Sequence, residues 1–355
     1  MAGKVNEPML QQPYEQILKD PLARLRQGGL GFVGADMPLE LLLASGRAFG
    51  HLPWNADAPA PAADQWLESA FPGWARSILE QWSAGAFDGL ETVLFSRADD
   101  AAQRLCYYIR ELQARGLLAG PPVRMLDLAL VPRPTSVAHS AAAIDALARD
   151  LHIDAGAWPA AIARANALRA RFALLNAQRG GGGADYERLF RVALWSDATD
   201  WIDAVTLPAS PAPHRLLLAG SMPPDARLHL AVEAAGASFV DEMHAAGPAR
   251  LGPPLEETGD APALRIARHL QQHASGPRAF IQRGTQIVGR VRAARASAVI
   301  LWLTREDEGL AWQLPSQALA LREAGIPVLT LPAARWAADD GALPAITRFC
   351  SEVFS

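Results

Sequence analysis

Residues 215–247 read RLLLAGSMPPDARLHLAVEAAGASFVDEMHAAG. The run Arg215–Ala219 is short and apolar, the pattern of a buried strand. Gly220 and Ser221 break it. Ser221 is a candidate N-cap, Pro223 and Pro224 suit a first helical turn, and Asp225 suits the positive end of a helix dipole. Leu228, Ala231, Val232 and Ala235 then recur at helical spacing and form one apolar face. Gly236 stops the helix, and Ala237–Asp241 is a second strand. The stretch therefore predicts a β-α-β unit. Its polar residues gather at strand ends, where open α/β sheets bind ligands. The second strand runs into Asp241-Glu242-Met243-His244, which makes His244 a candidate site residue.

The same alternation extends in both directions. Towards the C-terminus, Val299–Leu303 and Val328–Leu331 read as strands. Ala261–Gln272, Thr285–Ala294, Ser316–Ala324 and Leu343–Phe354 read as helices. Towards the N-terminus, Leu30–Val33, Leu90–Phe95 and Val123–Val131 are strands. Tyr14–Arg26, Met37–Gly46 and Asp99–Arg115 are helices, and Asp64–Trp82 is helical with an interruption at Pro72-Gly73. Alternating strands and helices imply parallel sheets covered on both faces. Between the two regions, Ser136–Val205 shows helical patterns only. The expected organisation is an α/β domain over residues 1–134, a helical connecting segment over 135–210, and a second α/β domain over 211–355. A crevice between two such domains is a common place for a site.

Composition narrows the function classes. The chain has 355 residues, half of them hydrophobic and 20% charged, with a net charge of −4. No basic block is present, which argues against nucleic acid as a partner. The opening residues lack the apolar core of a signal peptide, and no apolar run approaches the roughly 20 residues that span a bilayer. The expected location is the cytoplasm, with no membrane partner. Only Cys106 and Cys350 are present, so there is no disulfide framework and no four-cysteine metal site. Gly29, Gly31 and Gly34 match G-x-G-x-x-G formally. That motif needs a strand before its first glycine, whereas here the strand lies inside it. The glycine run 180–183 lacks the preceding strand and the Gly-Lys-Ser/Thr ending of a phosphate loop, and reads as a helix connection.

Few chemical motifs stand out. There is no H-E-x-x-H, no G-x-S-x-G and no Cys-x-x-Cys. Glu40, in the first turn after a strand, either answers the helix dipole or faces a pocket. The polar turn Thr304–Glu308 follows a strand and should share an edge with His244. Glu40 and His244 are the catalytic candidates. Ser221, Asp99 and Glu306 are the candidates for substrate binding. His139, His152 and His229 sit in helical patterns and read as background.

Several pieces, in order, resemble the subunits of the 2-hydroxyacyl-CoA dehydratases and the related benzoyl-CoA reductases. These are Leu30–Gly46 with its Pro-x-Glu-Leu helix, Thr92–Arg110, Leu217–Pro224, Glu233–His244, Ala324–Leu331 and Thr347-Arg348-Phe349. The resemblance implies two flavodoxin-like domains and a heterodimer of homologous subunits. It also implies a [4Fe–4S] cluster held by three cysteines in the crevice, an ATP-dependent activator, and radical elimination of water from an acyl-CoA. The family's cysteine positions appear here as Ala98, His244 and the Thr304–Asp307 turn. The resemblance thus implies a chain that binds no cluster itself and pairs with a cluster-bearing homologue around an acyl-CoA. Three alternatives are a pseudo-enzyme or scaffold binding a CoA ester, a benzoyl-CoA reductase-type subunit, and an enzyme of altered acid–base chemistry.

Overall fold

A computed structural model describes residues 14–179, 182–207 and 214–355 of the chain. The first two residues of the glycine run at 180–183 and most of the Pro-rich boundary at 206–213 lie outside them. Among the described residues there are eight strands: β1 Leu30–Val33, β2 Phe49–His51, β3 Thr92–Ser96, β4 Val123–Leu126, β5 His214–Gly220, β6 Ala237–Met243, β7 Ala298–Thr304 and β8 Val328–Ala334. They form two four-stranded, all-parallel sheets with strand orders β2-β1-β3-β4 and β6-β5-β7-β8. Both sheets thus have the flavodoxin-like order, so the expected α/β class with two such sheets is observed.

Strand periodicity explains how each sheet is buried on both faces. In the first sheet Leu30, Phe32 and Leu94 enter one core, and Val33, Val93 and Phe95 enter the other. In the second sheet Leu216, Leu218, Ile300 and Trp302 face one core, and Leu217, Ala219, Val299 and Leu301 face the other. The helices Pro134–Asp150, Trp158–Gln178 and Gly183–Trp195 link the two sheets.

Several local expectations are corrected. The helix at Tyr14–Arg26 is only Glu15–Lys19 plus the 3-10 turn Leu25–Gln27. Pro21 divides them, because its ring denies the chain a helical hydrogen bond. The strand at Val123 ends at Leu126 rather than Val131. Strand β2 lies at Phe49–His51. Ser221 caps no helix. The helix after β5 begins only at Arg227, and the Ser221 hydroxyl instead accepts the Thr304 N–H at 2.9 Å.

One packing relation crosses the sequence order. Helix Pro262–His273 belongs to the C-terminal third, yet it packs on helix Pro134–Asp150. Its Ala263, Ile266 and Ala267 enter the same core as Leu30, Phe32 and Leu126. The chain crosses back after β6 and ties the two halves together. Asp36 secures the crossing: its carboxylate accepts from Ser275 N at 2.7 Å, Ser275 Oγ at 3.0 Å and Gly276 N at 3.1 Å.

Gly220 closes β5 in the left-handed region at φ +117, and a Cβ there would lie 2.1 Å from the Trp302 carbonyl oxygen. Gly220→Ala is therefore expected to lower stability by at least about 2 kcal/mol. Denaturant unfolding would show this as a lower midpoint at unchanged slope. A wild-type midpoint would show that the turn relaxes.

Candidate functional site

In each sheet the chain leaves the first strand towards one neighbour and later returns on the other side. That reversal opens a crevice at the carboxyl ends of the two central strands. Here the reversal lies between β1 and β3 in one sheet and between β5 and β7 in the other. The two crevices meet in a single cleft. Gly34 and Ala35 line it after β1 and Asp99 after β3, opposite Gly220, Ser221 and Met222 after β5 and Glu306 and Asp307 after β7. His51 and His244 reach it from the ends of the two outer strands β2 and β6. Trp54, Trp74 and Trp336 supply apolar wall. The cavity is about 130 Å³, close to the roughly 150 Å³ that accommodates a benzene-sized guest. Trp54 and Trp336, one from each half, pack with ring centroids 5.1 Å apart.

Four of the five candidates from the sequence are thus brought together: His244, Ser221, Asp99 and Glu306. Glu40 is not. It is 2% exposed and lies 2.6 Å from Arg169, itself 6% exposed. The helix Leu39–Ala44 that Glu40 opens packs on helix Trp158–Gln178, which carries Arg169. The carboxylate therefore answers a guanidinium inside the protein, and Glu40 is absent from the lining of the cleft.

The cleft concentrates carboxyl groups that resist ionisation. Asp99 caps helix Asp100–Ala114 by accepting from Ala102 N at 2.9 Å. Burial, with the neighbouring Asp307 charge, pushes it up to about 6. Burial also raises Asp307, and the nearby Ser221 hydroxyl compensates in part. Glu306 is raised by burial too, and its Oε2 is enclosed without a partner. Ser221 sits among these groups, its hydroxyl accepting from Thr304 N at 2.9 Å. At about 6, the Asp99 carboxyl is poised to give or hold a proton near neutral pH. His51 differs. It donates from Nδ1 to the Leu52 carbonyl at 2.7 Å, and burial holds it down to about 4, so it stays neutral.

His244 is 6% exposed and forms a 2.7 Å contact from Nε2 to Glu242. Glu242 also meets His229 Nε2 at 3.0 Å and the guanidinium of Arg179. Burial alone would raise the Glu242 carboxyl, but Arg179, His229 and His244 together hold it well below the usual carboxylate range. His229, read from sequence as background, is thus part of the site's support. Asp307 lies in the polar turn that the sequence did point to, whereas His51, Arg283 and Arg179 were not singled out. Their signal, a polar or charged residue at a strand end or helix end, is too common to select them.

The family model of the 2-hydroxyglutaryl-CoA dehydratase D-component matches residues 35–345. The chain belongs to this family. Membership makes it a 2-hydroxyacyl-CoA dehydratase-type component. No curated protein matches the chain. Among the described residues no helix is long and apolar enough to cross a membrane.

The dehydratase resemblance implies an iron–sulfur cluster, and the residues here do not suit one. Such clusters need thiolates. Position 98 presents a buried alanine methyl, and the turn after β7 presents hydroxyl and carboxyl oxygens. Cys106 and Cys350 are both fully buried, each within an apolar core and outside the cleft lining. Burial pushes the Cys106 thiol up to about 12 and raises that of Cys350, which disfavours the thiolate. One imidazole among oxygen donors suits hard cations better than a sulfide cluster.

Proposed function

We propose that this chain is the cluster-free subunit of a 2-hydroxyacyl-CoA dehydratase-type complex. A homologous partner carries the [4Fe–4S] cluster, an ATP-dependent activator supplies its electron, and this chain shapes the acyl-CoA site. The observation that carries the reading is the cleft itself. It lies where the two switch points meet, and the family's ligand positions around it hold Ala98, His244 and oxygen-bearing side chains.

Within that reading the chain's own groups have distinct tasks. Trp54, Trp74, Trp336 and Met222 enclose the acyl chain and exclude water. A cavity of about 130 Å³ accepts a small acyl group and leaves the much larger CoA in the open groove. Asp99 and Asp307, when protonated, donate towards a thioester carbonyl. Glu306, with its enclosed and unpartnered oxygen, and Ser221 complete the polar wall.

The test is anaerobic co-purification with the product of a neighbouring gene, followed by iron and sulfide analysis of each separated subunit. Iron is expected on a cysteine-bearing homologue only. About four irons on this subunit alone would sink the proposal. Failure to co-purify with any homologous subunit would favour a scaffold that binds a CoA ester. A second reading, acid–base chemistry on this chain alone, is favoured by the raised carboxyl of Asp99. Turnover of a 2-hydroxyacyl-CoA by the isolated chain, without reductant or ATP, would select it.

A further inference from the structure

The support beneath His244 has a definite polarity. Glu242 is 3% exposed and held ionised by Arg179. An ionised carboxylate can only accept hydrogen bonds. Its Oε1 meets His229 Nε2 and its Oε2 meets His244 Nε2. Both rings must therefore carry a proton on Nε2, and in a neutral imidazole that leaves Nδ1 as a lone pair. Neither Nδ1 has a partner, and both are buried. The two rings differ in surroundings. His229 is fully buried and packs edge-on against Phe239, at 5.0 Å between centroids. His244 lines the cleft. Gly247 lies against the His244 ring, where a Cβ would come within 3.1 Å of Nε2, so the ring is also confined from behind.

We propose that Glu242 is a positioning residue that holds His244 in the tautomer with a bare Nδ1, and that this nitrogen accepts the O–H of a ligand hydroxyl in the cleft. Arg179 and His229 act through Glu242 by keeping it charged and oriented. A buried acceptor without a partner is costly, and a ligand hydroxyl supplies the missing donor. That the hydroxyl is the one on C2 of a 2-hydroxyacyl thioester rests on the proposed function. The tautomer does not.

The experiment has two arms. The first is nitrogen-15 NMR of the chain labelled at histidine. Eight histidines are few enough to assign with His244→Gln and His229→Gln. Both rings are expected to show a protonated Nε2 and a bare Nδ1. A proton on Nδ1 of His244 in the wild type overturns the proposal. In Glu242→Gln the His244 tautomer is expected to become mixed, a change that a merely structural role would not produce. If that variant fails to fold, the wild-type spectrum already decides. The second arm titrates lactoyl-CoA and propionyl-CoA, which differ by one hydroxyl. Lactoyl-CoA is expected to bind about tenfold more tightly, and His244→Phe to erase the difference. Equal affinities in the wild type overturn the hydroxyl assignment and leave the acyl-CoA reading standing. Binding of neither defeats that reading and the hydroxyl assignment together, while the tautomer is judged by the first arm.

Discussion

Arg169→Met is expected to destabilise the protein by about 3–5 kcal/mol, because it strands the buried carboxylate of Glu40. Both partners are almost fully enclosed and stand 2.6 Å apart. Arg169 also donates from Nε to the Leu251 carbonyl at 2.7 Å, so the methionine releases that acceptor as well. Glu40→Gln is expected to cost a similar amount, since it leaves the guanidinium without its counter-charge. The double variant Glu40→Gln/Arg169→Met should recover part of the loss, because removing both charges removes the uncompensated one. Urea unfolding of the four proteins makes a complete cycle. Binding of a 2-hydroxyacyl-CoA is expected to survive in Glu40→Gln under conditions where the variant is folded. A variant of wild-type stability that has lost binding would instead return Glu40 to the site.

Asp99→Asn is expected to stabilise the protein, and only at higher pH. The carboxyl moves from its ordinary 3.8 to about 6 on folding, chiefly through burial and then through Asp307. Because the folded value is the higher one, the group's contribution is full below about pH 4. It is lost as the pH rises through about 6. Asparagine keeps the cap on helix Asp100–Ala114, since its side-chain oxygen still accepts from Ala102 N, and it removes the ionisation. The two proteins should therefore be equally stable near pH 3.5 and diverge between pH 4 and 6. Each tenfold change in proton affinity is worth ~1.4 kcal/mol, which sets a ceiling of about 3 kcal/mol. Solvent reaching the cleft reduces the expected gain to about 1–2 kcal/mol. Thermal or urea unfolding across this pH range measures it. Parallel curves for the two proteins would show that Asp99 ionises freely. A carboxyl that costs stability in the empty cleft is what a proton-handling or ligand-facing role would retain.

Much of the site was legible in the sequence for one geometric reason. In a parallel sheet every strand ends at the same edge, so polar residues just after strands are brought together whatever their separation in the chain. Asp99, Ser221, His244 and Glu306 follow β3, β5, β6 and β7, and all four line the cleft. Glu40 satisfied the same rule in sequence and failed it in space. Its helix packs on the helix carrying Arg169, and that pairing is made by a residue far along the chain. His229 escaped notice because its partner Glu242 lies on the adjacent strand β6. Asp36 escaped because its partners, Ser275 and Gly276, lie in the opposite half of the chain.

The amino-acid sequence by itself determined the alternation of strands and helices, the burial of both sheet faces and the lack of enough cysteines for the family's cluster. Each of these follows from local periodicity or from a count. Tertiary structure alone decided that helix Pro262–His273 joins the first core, that Glu40 turns inward to Arg169, and that Glu242 gathers Arg179, His229 and His244 beneath the cleft. Each of these depends on which groups meet after the chain has crossed between its halves, and no local pattern records it.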